Sequence, residues 1–123
     1  MKNAINWFEI PVKNFDKAKK FYETILGVEM QLMEAMGMKS AFFPADIQTG
    51  GIGGCLIKGD GYEPSAKGTL VYLNGGDDLD FPLSKVEAAG GKILMAKTAI
   101  GENGFMAYFS DTEGNRVAFH SMK

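Results

Sequence analysis

The fold is decided near the N-terminus by the stretch Asn3-Ala-Ile-Asn-Trp-Phe-Glu-Ile-Pro-Val-Lys-Asn-Phe-Asp16. It reads as a short strand followed by the start of a helix. A similar stretch, Thr69-Leu-Val-Tyr-Leu-Asn-Gly-Gly-Asp-Asp-Leu-Asp80, begins in the second half of the chain. The pairs Phe15-Asp16 and Leu79-Asp80 lie 64 positions apart, about half of the 123 residues, which indicates a duplicated unit. Two copies of one unit share an interface, and small ligands commonly bind at such interfaces.

Length and composition predict one soluble domain over residues 1–123, with a first module at 1–60 and a second at 68–123. The 46% of apolar and 23% of charged residues are ordinary for a globular domain. No stretch approaches the roughly 18 apolar residues of a membrane span, so we expect no membrane association. The N-terminal residues run into a strand pattern without an apolar signal-like region, which favours a cytoplasmic location.

Charge and cysteine usage exclude several classes of function. The net charge is −2, and only one of the 13 cationic residues is an arginine, so nucleic acid is not an expected partner. The single Cys55 excludes an internal disulfide and every multi-cysteine metal pattern. His120 is the only imidazole in the chain.

The first half of the chain predicts a strand, a helix and three further strands. Residues 5–12 alternate as in a strand, Asn14 is suited to cap a helix, and Gly27 is suited to end it. A hairpin then surrounds Met36-Gly37, and Gly53 to Lys58 is a fourth strand. Residues 59–68 have the Gly, Pro and Ser content of a connector.

The second half repeats the order. It predicts the following elements: a strand at Leu70–Asn74, a helix at Asp78–Ala89, a strand at Lys92–Thr98, and a hairpin of Phe105–Ser110 with Arg116–Ser121. The sequence therefore predicts an α+β fold of two tandem βαβββ modules. Their sheets would be curved and mostly antiparallel, with the helices outside and a cavity inside.

Six short motifs follow one another along essentially the whole chain. They are Glu9-Ile-Pro-Val, Ala18-Lys-Lys-Phe-Tyr, Leu26-Gly27, Asp77-Asp-Leu-Asp, Val86-Glu-Ala-Ala-Gly-Gly-Lys92 and Tyr108-Phe-Ser-Asp-Thr-Glu-Gly-Asn115. In this order and spacing they resemble the vicinal oxygen chelate superfamily of glyoxalase, bleomycin-resistance and extradiol dioxygenase proteins. The Trp7-Phe-Glu-Ile-Pro form is most similar to the branch described as related to lactoylglutathione lyase. The resemblance also implies a homodimer.

Metal-dependent members of that superfamily take His or Glu ligands from four strand positions. In this chain those positions fall on Trp7, near Cys55, on Leu70 and on Ala118. No His or Glu stands at any of the four, so we expect no metal and no other cofactor, and a metal-dependent glyoxalase or dioxygenase is disfavoured.

Strand alternation extends the face that would line the cavity. The candidate ligand-binding residues are Trp7, Cys55, Leu70, Tyr72, Asn74, Arg116 and Ala118. Glu9 and His120 lie on the same faces and are the candidate catalytic residues, because the two could transfer a proton if they met across the cavity. Alternatively, Glu9 forms an ion pair and His120 lies near solvent without a role. For Cys55 a buried, inert core residue is the preferred interpretation over a reactive thiolate, and for Trp7 a wall of the cavity is preferred over a stacking platform.

Three functions are consistent with this pattern. The leading one is a metal-free protein that binds a small apolar or aromatic molecule and sequesters or carries it. The second is a lyase or isomerase related to lactoylglutathione lyase, metal-free through Glu9 and His120 or with a noncanonical metal. The third is an interaction or regulatory module that recognises a partner through an exposed sheet.

Overall fold

Eight strands in two separate sheets form the framework of the protein. The structure is a computed structural model and describes residues 2–123. The strands are β1 (Trp7–Pro11), β2 (Gln31–Ala35), β3 (Met38–Phe42), β4 (Gly53–Lys58), β5 (Val71–Asn74), β6 (Lys92–Ala99), β7 (Phe105–Ser110) and β8 (Arg116–Ser121). The helices are α1 (Phe15–Leu26) and α2 (Asp80–Leu83), with short 3-10 turns at Ile47–Thr49 and Gly101–Asn103.

The two sheets have the same topology. The first sheet has the order β1-β4-β3-β2 and the second has the order β5-β8-β7-β6. In each, the first strand pairs in parallel with the last, and the remaining pairs are antiparallel. The predicted α+β fold with a repeated βαβββ order is therefore confirmed. The strands β1 and β5, which open the two repeats, both lie at a sheet edge.

Helix α1 begins and ends where the sequence predicts. The Asn14 side chain accepts a hydrogen bond from the Lys17 amide at 3.4 Å, and Gly27 ends the helix in the left-handed conformation with φ of 65°. One face of the helix is buried and carries Phe15, Ala18, Phe21, Tyr22 and Ile25. This apolar stripe at three- and four-residue spacing is what fixes the helix against the sheets.

The second helix is much shorter than predicted. The pattern predicts a helix over 78–89, but α2 comprises four residues and turns continue to Gly90. Pro82 has no amide hydrogen, and the amides of Lys85 and Val86 bond to carbonyls three residues back instead of four. The segment keeps helix-like burial of Leu79, Leu83 and Val86 without a regular α-helix.

The hydrophobic core joins the two halves of the chain through aromatic rings. Phe109 on β7 lies with its ring centroid 6.1 Å from that of Phe21 and 6.5 Å from that of Tyr22, both on α1. Tyr22 also packs edge-to-face on Phe43 at 5.5 Å. Because α1 contacts side chains from both sheets, its burial holds the sheets together.

The turn between β7 and β8 forms a second link between the halves. Asp111 accepts hydrogen bonds from the Tyr22 hydroxyl at 2.7 Å and from the Asn115 amide at 2.9 Å. The Asn115 side chain donates to the Pro11 carbonyl at 2.8 Å and accepts from the Ser65 amide at 2.9 Å. One polar turn thus fixes β1, α1 and the connector.

No helix within residues 2–123 has the length and apolar character needed to cross a membrane.

Candidate ligand-binding site

The largest cavity lies between the strands that open the two sheets and has a volume of about 710 Å³. It is lined by Ile5, Phe8, Leu26, Val28, Phe43, Pro44, Ile52, Thr69, Leu70, Val71, Tyr72, Leu73, Asn74 and Gly76. Most of these side chains are apolar, and Thr69, Tyr72 and Asn74 are the polar exceptions. A cavity of this size and lining is typical of a site for a small organic molecule.

Glycine in the neighbouring strand makes room for one wall of the cavity. Phe8 lies opposite Gly54 in the β1–β4 pair, and a Cβ atom on Gly54 would lie 2.4 Å from the Phe8 ring. Such a contact is impossible without movement, so only glycine permits this ring position. The Phe8 ring packs on Phe43 with centroids 5.3 Å apart, and both rings line the cavity.

Three of the predicted ligand-binding residues line this cavity: Leu70, Tyr72 and Asn74. The Asn74 side-chain oxygen accepts a hydrogen bond from the Gly76 amide at 2.8 Å, which holds the side chain at the end of β5. Tyr72 and Asn74 also line an adjoining pocket of about 470 Å³ together with His120. Strand β5 therefore borders both spaces.

The two candidate catalytic residues line different pockets. His120 lies in the pocket of about 470 Å³, and its Nε2 atom is 2.6 Å from the carbonyl oxygen of Asn103. Glu9 lines a narrow pocket of about 110 Å³ together with Arg116. The Glu9 carboxylate lies beside the Tyr62 hydroxyl and raises the pKa of that phenol through hydrogen bonding and charge. Proton transfer between Glu9 and His120 stays a prediction.

Trp7 lines a fourth space, a pocket of about 370 Å³, and does not line the largest cavity. Its ring packs edge-to-face on Phe42 with centroids 5.9 Å apart. Gly53 lies opposite Trp7, and a Cβ atom there would lie 3.2 Å from the ring. The indole remains 41% exposed and covers the face of the first sheet that points away from α1.

Cys55 and Ala118 are both buried in the middle of their sheets. Burial raises the pKa of the Cys55 thiol to about 11, with the Glu9 charge adding to the rise and a hydrogen bond with Ser40 opposing it. The residue is therefore a thiol, not a thiolate, at neutral pH.

Ala118 lies opposite both Tyr72 and Tyr108, so only a methyl group separates these two tyrosines on the sheet surface.

Comparison with known proteins places the chain in a family. The model of the Glyoxalase/Bleomycin resistance protein/Dioxygenase superfamily matches residues 4–119. The chain belongs to this superfamily. The resemblance of its motifs is thereby confirmed, whereas a search of curated proteins finds no match.

Solved structures of the superfamily share the fold at low sequence identity. A glyoxalase I mutant from Zea mays has a TM-score of 0.69 at 21% identity, covering 95% of this chain but only 45% of the maize chain. A glyoxalase/bleomycin resistance protein/dioxygenase family enzyme from Burkholderia phytofirmans has a TM-score of 0.69 at 16% identity, over 96% of this chain and 98% of its own. The fosfomycin resistance protein FosX from Listeria monocytogenes has a TM-score of 0.64 at 16% identity, over 98% and 91%. At such identities the likeness concerns the fold alone.

The residues at the four expected metal-ligand positions do not fit a metal ion. Of Trp7, Cys55, Leu70 and Ala118, only Cys55 has a donor atom, and its raised pKa disfavours the thiolate that a metal requires. Within residues 2–123 no three His, Cys, Asp or Glu side chains are grouped closely enough to hold an ion.

Strand periodicity predicted only three of the fourteen residues that line the cavity. Strand alternation places Phe8 on the helix-facing side of β1, and it does lie there, but the gap between β1 and β5 leaves it open to the cavity. Among the others, Leu26, Val28, Phe43, Pro44 and Ile52 lie at a helix end or in loops. The only sequence signal for them is their apolar character beside Gly27 and in the loop before Gly53, where no regular periodicity applies.

Proposed function

We propose that this protein binds a small, mainly apolar or aromatic organic molecule in the cavity of about 710 Å³ and sequesters or carries it. The observation that supports this proposal is the cavity itself, because it combines adequate volume with an apolar lining and few polar groups. Removing an aromatic ring from water gives about 25 cal/mol for each Å² buried, which is the main source of affinity at such a site.

The polar groups on one side of the cavity would orient the molecule. The Thr69, Tyr72 and Asn74 side chains all belong to β5 or the residue pair before it, so the polar groups are on one side. The opposite wall contains Phe8, Phe43 and other apolar groups. A molecule with an apolar body and one polar end fits this asymmetry.

Binding of the neutral aromatic probe 1-naphthamide tests the proposal. Leu70→Trp adds a large ring to the cavity wall, and we expect it to weaken binding by tenfold or more, as measured by isothermal titration calorimetry. Leu32→Trp is the matched control, because Leu32 is 53% exposed on β2 and does not line the cavity. Equal affinity in the two variants, or no binding to the unaltered protein, would contradict the proposal.

The lyase or isomerase alternative lacks comparable support. It depends on proton transfer between Glu9 and His120, and these residues line separate pockets. Turnover of a hydroxyacyl thioester or related substrate that is lost in His120→Ala would restore it.

We also infer that two copies of the chain associate. Large apolar side chains are exposed on the face of the first sheet that points away from α1, including Trp7 and Met33. Exposed apolar surface of this kind favours protein association. Light scattering coupled to size exclusion should give twice the 13.3 kDa chain mass, and Met33→Lys should lower it.

A further inference from the structure

Two tyrosine hydroxyls converge on the outer face of the second sheet. The hydroxyl oxygens of Tyr72 and Tyr108 are 3.4 Å apart, and both lie near the Met106 sulfur, at 3.7 and 3.8 Å. The rings meet edge to face with centroids 6.3 Å apart. The convergence depends on Ala118, which lies between the two tyrosines in the sheet and carries only a methyl group.

The hydrogen-bonding capacity of these phenols is poorly used. Each phenol has one proton to donate, the contact between the two oxygens is long, and a thioether sulfur is a weak acceptor. The hydrogen bond with Tyr108 raises the pKa of Tyr72, so its phenol remains a donor at neutral pH. A ligand oxygen placed above the pair would be a better acceptor than anything the protein supplies.

The only arginine of the chain lies beside the pair. The Arg116 guanidinium carbon is 5.8 Å from the centroid of the Tyr108 ring, a cation–π geometry that positions the charge on the same face. Within residues 2–123 Arg116 forms no ion pair. Glu9 and Glu63 line the narrow pocket next to it, but Glu63 is paired with Lys13 at 2.8 Å. A guanidinium without an ion pair, next to two phenol donors, favours a ligand carboxylate.

We propose that Tyr72, Tyr108 and Arg116 bind the carboxylate of the ligand, so that the ligand class is an apolar or aromatic carboxylic acid. This proposal rests on the proposed function, since the apolar body of the acid would occupy the cavity of about 710 Å³. Tyr72 connects the two parts, because it lines that cavity and belongs to the hydroxyl pair. The body supplies affinity by burial, and the carboxylate selects acids over neutral analogues.

A pair of probes with the same ring separates the two proposals. The dissociation constants of 1-naphthoate and neutral 1-naphthamide are measured by calorimetry for the unaltered protein and for Arg116→Gln and Tyr108→Phe. We expect naphthoate to bind about tenfold more tightly, since a charge-assisted hydrogen bond exceeds a neutral one by roughly that factor. Both variants should remove most of this preference, because they should weaken naphthoate binding much more than naphthamide binding.

Matched controls exclude general effects of charge and of tyrosine removal. Lys20→Gln removes an exposed cation on α1, and Tyr62→Phe removes a phenol that lies beside Glu9 instead of the pair. Neither should alter the preference for naphthoate. Equal binding of both probes, or a preference that persists in Arg116→Gln and Tyr108→Phe, would overturn the carboxylate subsite and leave the cavity proposal standing. Absence of binding by either probe would overturn both proposals.

Discussion

Replacing Asp111 by alanine should destabilise the protein by about 3 kcal/mol. The side chain is 4% exposed and accepts four hydrogen bonds, from the Tyr22 hydroxyl, the amides of Glu113 and Asn115, and the Asn115 side chain. Without it the fully buried Tyr22 hydroxyl loses its acceptor, at a cost of about 2 kcal/mol, and each other lost bond costs about 1 kcal/mol.

Part of this cost is offset by the removal of a buried charge. Burial raises the pKa of Asp111, although the hydrogen bonds from Tyr22 and Asn115 act in the opposite direction. The raised pKa means that the ionised carboxylate is less favourable here than in water, so removing the residue recovers part of this cost. The net of these opposing effects is the expected loss of about 3 kcal/mol.

Urea unfolding of a double-mutant cycle tests the physical account. Tyr22→Phe alone should cost about 1 kcal/mol, because Asp111 keeps its three other donors. In the Asp111→Ala background the same change should be neutral or stabilising, since it removes a hydroxyl that has no acceptor. Asp60→Ala, an exposed control, should change the unfolding free energy by less than about 0.5 kcal/mol. If Tyr22→Phe is equally destabilising in both backgrounds, the hydrogen-bond reasoning is refuted.

Three further predictions concern single sites. Cys55→Ala should reduce the loss of unfolding free energy between about pH 8.5 and about 11, as measured by urea unfolding. In this range the unfolded thiol has released its proton, near pH 8.5, whereas the native thiol retains its proton up to its pKa of about 11, so the native state of the unaltered protein loses stability as the pH rises. An unchanged dependence on pH would contradict this. Met36→Asn should raise the unfolding free energy by about 0.5 kcal/mol, because Met36 and Gly37 form a two-residue turn with φ of 55° and 75°, and asparagine tolerates positive φ. A lower denaturation midpoint in urea would disprove that account. Gly54→Ala should lower the free energy of unfolding in urea by about 1–3 kcal/mol and weaken 1-naphthamide binding, because the new methyl group displaces the Phe8 ring. Unchanged stability and affinity would exclude the steric role of Gly54.

Strand alternation predicted which side chains share a face of each sheet. Tyr72 and Ala118 lie opposite each other, as do Glu9 and Cys55, because a period of two residues fixes the side of a strand on which a side chain lies. The same reasoning failed for the second helix. Its apolar residues are buried as predicted. The spacing of apolar residues does not show, however, that the amides of Lys85 and Val86 donate to carbonyl oxygens three residues back, after Pro82.

The cavity could not be predicted in the same way. Alternation indicated that Trp7 and Leu70 line one basin, whereas the structure has them lining different spaces. The walls formed by Phe8 and Phe43 depend on the distance between β1 and β5, which belong to separate sheets. No local pattern encodes that distance, since it results from the packing of α1 against residues of both halves.

The sequence by itself determined the repeated βαβββ order, the ends of α1, the family, and the replacement of His and Glu at the expected ligand positions. These features depend on residue identity and on periodicities of a few residues. The tertiary structure alone decided that Glu9 and His120 line separate pockets, that the cavity lies between the two edge strands, and that Tyr72, Tyr108 and Arg116 meet on one face. Those arrangements join residues distant in the chain, and their geometry is set by core packing and by the hydrogen bonds of Asp111 and Asn115.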